Sequence, residues 1–537
     1  MRLFTLAFLL ALVAVPARAQ TPGDCTLGTA EGDLDISRVF ARVFNTGSLF
    51  FGNTTTNGDG YFVPQAAAIS PLYAAGLWVA GTVDGQVRSA GSRYRDFTFW
   101  PGHLDDGATL PNPNFCSPFD RIYVVSRPDV GAYEQTGQAT PDLRAWPVGL
   151  GAPTVDASGE RVVPTSREQV IDLDAGERPV ISGSQMAWWV MNDVGNDHAA
   201  QGSAPLGIEV RVSAFAVSAV EPAGISDATL YRYEILNRSE NTLEDARASV
   251  FVDPDLGDAS DDFVGSDSTR GLFFAYNAED QDAVYGTPPA LGIDLLSGGG
   301  GSYYFQNAQS GPTTDPATAP EYYNYLRSRW RDGTPMYAFG TGYNQPQAPI
   351  TQWAFPGDPV TGQAWSEENS DGNGSRNVPG DRRGGVTSVP FELAPGETYT
   401  FDVGILYAQG ANRLASVTAL RAVSDRVQAA YDSGSLFPEI QAVSSEPTGP
   451  EATSLGLSVQ PNPVAGASVA RFTLDASGEV RVRVVDVLGR EVSILASGAR
   501  AAGEHTLALP TGLTPGMYAV EVLSGETRAT QRFTVVR

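Results

Sequence analysis

Residues 230–236 read LYRYEIL, and this stretch decides the class of fold that we expect. Tyr231, Tyr233 and Ile235 fall on one face of an extended chain, whereas Arg and Glu alternate with them on the other face. Strict alternation with a period of two is typical of a β-strand that buries one face. The segment therefore predicts a strand inside a sheet rather than a helix.

The rest of the chain agrees with this interpretation. Runs of β-branched and aromatic residues, bounded by Gly, Pro, Asn or Asp, predict further strands at 122–126, 187–191, 208–220 and 398–407. The 58 glycines and 37 prolines suit a protein rich in turns. We expect a mainly β protein whose body is a large β-sandwich.

Two segments follow a helical pattern instead. Apolar residues recur every three or four positions from Leu414 to Tyr431, with Asn412 placed to cap the start and Gly434 placed just after the end. A shorter helix is expected over residues 321–331.

Composition divides the 537 residues into four parts. Residues 1–19 form an expected signal peptide, 20–437 an acidic body, 438–456 a linker rich in Ser, Pro, Thr and Gly, and 457–537 a C-terminal domain. The last part holds about six or seven short strand patterns, which predicts a small immunoglobulin-like β-sandwich.

The charge of the chain excludes one class of partner. Aspartate and glutamate number 61 against 35 basic residues, all of them arginine, for a net charge of −26. Nucleic acids and anionic lipids are bound by clustered cations, so we expect neither as a partner. A biased genome or a salty or warm habitat is the simplest explanation of the acidity.

The N-terminus predicts export. Arg2 precedes the apolar run 3–15, and Ala17-Arg18-Ala19 then offers an A-x-A cleavage site before Gln20. We expect cleavage between Ala19 and Gln20, passage through the periplasm, and no membrane-spanning segment in the mature chain.

The chain has two cysteines, Cys25 and Cys116. In an oxidising compartment we expect them to form a disulfide, with two free thiols as the alternative. A zinc site on these cysteines would have to be completed by His103, His198 or His505, which we do not expect.

The densest group of candidate ligands lies in residues 253–267, DPDLGDASDDFVGSD. Clustered carboxylates repel one another, and a hard dication relieves the repulsion through oxygen ligands. The segment predicts a calcium site, although the spacing is not that of an EF-hand; a solvated acidic turn is the alternative. The candidate ligands are Asp253, Asp255, Asp258, Asp261, Asp262 and Asp267.

Enzymatic motifs give no positive signal. The body contains neither a G-x-S-x-G elbow nor an H-E-x-x-H motif. A glycosidase remains open, because it needs only two carboxylates at a suitable separation. Sugar-stacking platforms could come from five tryptophans, although Trp188 and Trp189 are adjacent and more simply point to opposite faces of one strand; the others are Trp330, Trp353 and Trp365.

The C-terminal part contains Pro461-Asn462-Pro463, DVLGR with Asp486 and Gly489, LTPGMY with Gly516 and Tyr518, and a final FTVVR. In these motifs it resembles a known family, the type A C-terminal sorting domain of the type IX secretion system in Bacteroidota. This resemblance implies that the type IX machinery is a partner, and that the protein is secreted or held on the outer cell surface.

The body resembles uncharacterised secreted Bacteroidota proteins that carry the same tail, in segments such as GLWVAG at 76–81 and WWVMND at 188–193. This likeness brings no activity with it. We expect a structural or adhesive body that does no catalysis, with surface polysaccharide or other surface proteins as partners; the alternative is a secreted polysaccharide-active hydrolase.

Overall fold

The computed structural model describes residues 25–52, 60–67, 69–94, 97–107, 115–198, 201–218, 225–308, 310–437, 457–460, 464, 467–474, 476–486, 491–513, 516–524 and 527–535. The expected signal peptide with its cleavage site at Ala19 and Gln20, and the expected linker, lie outside these residues. The chain divides into two units, Met1–Val443 and Ser444–Arg537, which are described separately.

The first unit is built mostly of strands. In chain order they are β1 (Glu31–Leu34), β2 (Phe40–Phe44), β3 (Ser48–Leu49), β4 (Tyr61–Phe62), β5 (Leu72–Val83), β6 (Gln86–Gly91), β7 (Trp100–Pro101), β8 (Tyr123–Ser126), β9 (Thr154–Val155), β10 (Arg178–Pro179), β11 (Gln185–Asn192), β12 (Ile208–Ala216), β13 (Ala228–Asn237), β14 (Leu243–Pro254), β15 (Asp262–Asp267), β16 (Leu272–Asn277), β17 (Ala290–Leu295), β18 (Gly299–Gln306), β19 (Arg382–Ser388), β20 (Phe391–Leu393) and β21 (Thr398–Ala408). The helices are α1 (Arg127–Thr136), α2 (Pro141–Arg144), α3 (Ala319–Leu326) and α4 (Arg413–Asp432).

Two antiparallel sheets hold most of these strands. The first sheet has the order β1-β2-β3-β5-β14-β19-β18, with β4, β6 and β20 paired to β2, β5 and β14. The second has the order β15-β16-β17-β21-β13-β12-β11-β7, with β8 paired to β11. The expectation of a mainly β protein is confirmed.

The main core buries both faces of the first sheet. Trp78 of β5 is fully buried and stacks on Phe251 of β14, with ring centroids 4.9 Å apart, on the face that α3 covers through Tyr322. Tyr231, Tyr233 and Ile235 of β13 belong to the same cluster of buried residues and enter it from the second sheet. They are the face that the alternation in LYRYEIL predicts to be buried, so that pattern identified the inward side of β13.

A second core covers the outer face of the second sheet, under α4. Trp188 belongs to this outer core and Trp189 to the inner one, because neighbouring residues of β11 point to opposite faces. The helix begins as predicted: the Asn412 side chain accepts a hydrogen bond from the Ala415 N–H at 2.8 Å. Gly434 follows its end with φ at +73°, the left-handed conformation that glycine adopts readily.

The prediction of a helix over residues 321–331 is wrong at its C-terminal end, because α3 stops at Leu326. The chain reverses at Ser328, where φ is +52°. Trp330 is then buried, and its indole N–H donates to the Gly342 carbonyl at 2.8 Å. Because burial of this large ring is favourable, the chain reverses direction at Ser328 instead of continuing the helix.

The long segment after α3 closes one side of the sandwich. The Ser266 N–H of edge strand β15 donates to the Phe355 carbonyl at 3.1 Å, and the Ser302 N–H of edge strand β18 donates to the Gln352 carbonyl at 2.8 Å. The hydroxyls of these two serines lie 2.7 Å apart and so join the two sheets. Each of these two edges thus has a backbone N–H group paired within the chain instead of being open to another strand.

The second unit is a small β-sandwich. Its strands are β22 (Ser458–Gln460), β23 (Val469–Leu474), β24 (Gly478–Asp486), β25 (Glu491–Arg500), β26 (Gly503–Ala508), β27 (Gly516–Ser524) and β28 (Thr527–Val535). They form the sheets β22-β23-β26 and β25-β24-β27-β28 around a core that includes Phe472, Val482 and Phe533.

Candidate functional site

The candidate site lies where β14 ends and β19 begins. These strands are antiparallel, and Val252 of β14 pairs with Gly384 of β19. Continuing that register brings the residues after Val252 alongside those before Gly384. Asp253 and Asp255 of the acidic segment therefore meet Asp381, which precedes β19.

Three carboxylates converge at this junction. Asp253, Asp255 and Asp381 each offer an oxygen, and these oxygens lie within 4.8 Å of one another. Asp253 is buried and the other two are partly buried, so the group has a closed inner side and a side open to solvent.

Asp253 is held in place by a tyrosine and an arginine. The Tyr94 hydroxyl donates to its Oδ2 at 2.5 Å, and Arg383 Nε donates to its Oδ1 at 3.0 Å. Burial raises the pKa of Asp253 to about 7, and the charge of Asp255 adds to the increase while Arg383 opposes it. The arginine is shared, because its Nη1 also lies 2.8 Å from Asp315.

The partly buried members of the cluster are less well compensated. Burial raises the pKa of Asp255 to about 6, and the negative charge of Asp381 contributes to the same shift. Arg383 Nε lies 3.5 Å from Asp381 Oδ1, a longer contact than the one that it makes with Asp253. When these carboxylates are ionised they repel one another, and the guanidinium of Arg383 has to offset several negative charges.

Asp262 adds a fourth carboxyl group behind these three. It is fully buried, and its Oδ2 accepts one long hydrogen bond of 3.4 Å from the Leu256 N–H. Its Oδ1 has no hydrogen-bond partner in the described structure. Burial raises the pKa of Asp262 well above the usual range, and the charges of Asp261, Asp255 and Asp381 raise it further.

The other three predicted ligands are engaged elsewhere. Asp258 is exposed and caps a short turn by accepting from the Ser260 N–H and hydroxyl. Asp261 accepts from Asn277 at 2.8 Å, and burial together with Asp282 raises its pKa to about 6.

Asp267 forms ion pairs with Arg270 at 2.8 Å and with Arg421 at 3.4 Å. Burial alone would raise its pKa, but the Thr269 hydroxyl and these two arginines lower it overall. Its charge is therefore already balanced.

Sequence reasoning missed Asp381. It stands 114 positions after Asp267, next to two arginines in GDRRGG, and nothing in the local pattern connects it with the acidic segment. The pairing of β14 with β19 is what brings it to the cluster.

The predicted disulfide is present: Cys25 and Cys116 are bonded, with Cα atoms 5.6 Å apart. Asp120 also holds the segment that follows Cys25: its carboxylate accepts hydrogen bonds from the N–H groups of Thr29 and Ala30 at 2.8 Å each. The start of the described chain is thus attached to the body by both covalent and hydrogen bonds.

The two histidines of the body are engaged within the fold. His198 is buried, and its ring nitrogens lie 2.8 Å from the Ser89 carbonyl oxygen and 2.7 Å from that of Asp193. His103 packs edge-on against Phe115 and Phe119, and burial lowers its pKa to about 4. It is therefore neutral at physiological pH.

Most of the tryptophans considered as sugar platforms are core residues. Trp188, Trp189, Trp330 and Trp365 are between 0% and 3% exposed. Their faces are covered by other side chains in this conformation. Trp353 is half-buried and lies over Gly299.

Comparison with known proteins identifies the tail. Residues 458–536 match the family model described as a secretion system C-terminal sorting domain, so this unit is a type IX sorting domain. Gly516 and Tyr518 lie on β27, and the Asp486 backbone pairs with that of Tyr518. Gly489 and the Pro461-Asn462-Pro463 motif lie outside the described residues.

No curated protein matches the chain. A solved structure titled as a polysaccharide lyase shares 10% identity over 61% of this chain and 34% of its own, with a TM-score of 0.19. The chain thus spans about a third of that structure's length, and so weak a likeness supports no statement about the body.

Proposed function

We propose that this protein is exported by the type IX secretion system and that its body serves a structural or adhesive purpose at the cell surface or outside the cell. The sorting domain at residues 458–536 is the observation that carries the proposal. Such a domain indicates export and an interaction with the type IX machinery.

The route begins, in this proposal, with a signal peptide that is cut between Ala19 and Gln20 and takes the chain to the periplasm of a Bacteroidota cell. The sorting domain then directs passage across the outer membrane. None of the helices in the described ranges is long and apolar enough to cross a bilayer.

A structural or adhesive body is supported by the way the sandwich is closed. The edge strands β15 and β18 are covered by the chain's own residues, and a disulfide ties down the start of the described chain. Such features resist unfolding outside the cell, where disulfides persist. Surface polysaccharide or other surface proteins are the partners that we propose.

One cavity of the body bears on the alternative of a polysaccharide hydrolase. It has a volume of about 270 Å³ and is lined by Arg127, Val130, Gly131, Glu134, Pro179 and Ile181. Glycoside hydrolysis generally uses two carboxyl groups about 5 to 10 Å apart, and this lining supplies one, Glu134. The cavity therefore does not favour the alternative.

Export is tested by removing residues 457–537 in the native host and locating the protein by cell fractionation. We expect the truncated protein to stay in the periplasm. As a matched gain-of-function test, residues 457–537 are fused to a fluorescent protein that carries residues 1–23, and this fusion should reach the surface or the medium. A truncated protein that still leaves the cell would refute the proposal.

A further inference from the structure

We propose that Asp253, Asp255 and Asp381, with Asp262 behind them, form a calcium site at the junction of β14, β19 and β15. The site differs from the one that the sequence predicts, because it draws on a residue outside the acidic segment and omits Asp258, Asp261 and Asp267. It concerns the body alone and does not depend on how the protein is exported.

The separation of the oxygens suits a calcium ion. Calcium–oxygen distances are about 2.4 Å, so two ligands on opposite sides of the ion lie about 4.8 Å apart. The oxygens of the three aspartates lie within 4.8 Å of one another. At most a small shift of the side chains would bring all three oxygens to calcium-binding distance of one ion.

The buried Asp262 carboxyl is the second, independent observation. A buried polar oxygen without a partner is costly and uncommon in native proteins. Asp262 is 0% exposed and its Oδ1 has no partner in the described structure. Its Oδ2 accepts from the N–H of Leu256, the residue after Asp255, and its carbonyl accepts from the N–H of Gly380, the residue before Asp381, so it lies beside two members of the cluster. A cation bound by Asp255 and Asp381 would also attract the Asp262 carboxylate.

The local charge balance also favours a cation. Arg383 is the guanidinium that pairs with Asp253 and Asp381, and it also pairs with Asp315 at 2.8 Å. Arg382, which interacts with Asp262, is itself paired with Glu367 at 3.1 Å. Tyr94 and Arg383 each hold one oxygen of Asp253, and such supporting contacts orient a ligand.

The ligand type selects the class of metal. Every ligand is a carboxylate oxygen, which suits calcium or magnesium better than metals that prefer imidazole or thiolate. Magnesium requires near-ideal octahedral geometry at about 2.1 Å, whereas calcium accepts irregular arrangements of oxygens. The irregular cluster, open to solvent at Asp255 and Asp381, therefore fits calcium better.

A bound ion would connect the two sheets. Asp253 is the next-to-last residue of β14 and Asp381 immediately precedes β19, both in the first sheet, whereas Asp262 begins β15 at the edge of the second. The inferred consequence of binding is a body that resists unfolding more strongly in calcium than in chelator.

The experiment is a calcium titration of the purified full-length chain, followed by calorimetry and by the unfolding temperature in calcium against EGTA. Asp255→Asn and Asp381→Asn each remove one charge with little change of shape. The matched control is Asp258→Asn, which alters an exposed aspartate of the same segment outside the cluster. Far-UV circular dichroism checks that each variant is folded.

We expect the wild type and Asp258→Asn to bind calcium and to unfold at a higher temperature in its presence. Each cluster variant should bind about tenfold more weakly or worse, because affinity depends on the number of charged ligands. The inference is refuted if the wild type does not bind, if magnesium gives an equal shift at equal concentration, or if Asp258→Asn loses binding as the cluster variants do. Since the protein is assayed after purification, these outcomes are independent of the export test.

Discussion

The replacement Asp294→Asn should change how the stability of the body depends on pH. Asp294 lies on β17 and is fully buried beneath α4. Burial raises its pKa to about 7; the Ser424 hydroxyl opposes the shift, and the charge of Asp425 adds to it.

The direction of the effect follows from proton binding. An unfolded aspartate loses its proton near pH 3.8, whereas folded Asp294 keeps it until about pH 7. Between these values the folded protein binds more protons, so its stability falls as the pH rises. The contribution of the protonated group is complete below pH 3.8 and is lost as the pH passes through 7.

The size of the effect has a ceiling. The pKa values of Asp294 in the folded and unfolded protein differ by about three units, and each unit is equivalent to about 1.4 kcal/mol. The free energy of unfolding therefore falls by at most about 4 kcal/mol between pH 4 and pH 8. Relaxation of the structure and entry of water around the charged group reduce this figure. We expect a loss of about 1 to 4 kcal/mol.

The assay is urea unfolding followed by tryptophan fluorescence at several pH values from 4 to 8. All eight tryptophans lie before residue 366, so the signal reports on the body alone. Asp294→Asn and the wild type should be close in stability at pH 4, and the variant should become the more stable protein as the pH rises. The control is Asp197→Asn, which alters an exposed aspartate. The other buried carboxyl groups are the same in both proteins, so their contributions cancel in the difference. A difference in the free energy of unfolding between wild type and Asp294→Asn that stays constant with pH would refute the reasoning.

Two further predictions concern the stability of the body at neutral pH. Replacing both Cys25 and Cys116 with serine should lower the free energy of unfolding by up to about 4 to 5 kcal/mol, which is the chain-entropy ceiling for a loop of this length. Asp120 reduces the loss, because its hydrogen bonds hold the same segment. An unchanged urea midpoint after this replacement would contradict the expectation. Trp78→Ala should lower the free energy of unfolding by about 3 to 5 kcal/mol, because it empties the centre of the aromatic stack between the first sheet and α3. Trp353→Ala, at a half-buried position, is the control, and thermal unfolding should show a clearly smaller loss of stability in it than in Trp78→Ala. Equal losses in the two variants would contradict a particular contribution of the Trp78 stack to stability.

Local pattern was sufficient for several elements of the fold and for the tail. The alternation around Tyr231 and Tyr233 identified the inward face of β13, and the spacing from Leu414 to Tyr431 identified α4 with its cap at Asn412. The pairing of Cys25 with Cys116 followed from the compartment and from the count of cysteines. Each of these inferences rests on composition or on residues a few positions apart, where backbone periodicity relates sequence to structure directly.

The candidate site was decided only by the tertiary structure. The acidic segment pointed to the right region, but Asp267 is neutralised by arginines and Asp258 faces solvent, while Asp381 enters from the start of a strand paired with β14. Likewise, the closing of the sandwich depends on residues 352 and 355 meeting strands that lie about 50 to 90 positions earlier in the chain. Which strands pair, and in which register, is determined by the packing of the whole core, and that global balance is not contained in any local stretch of sequence.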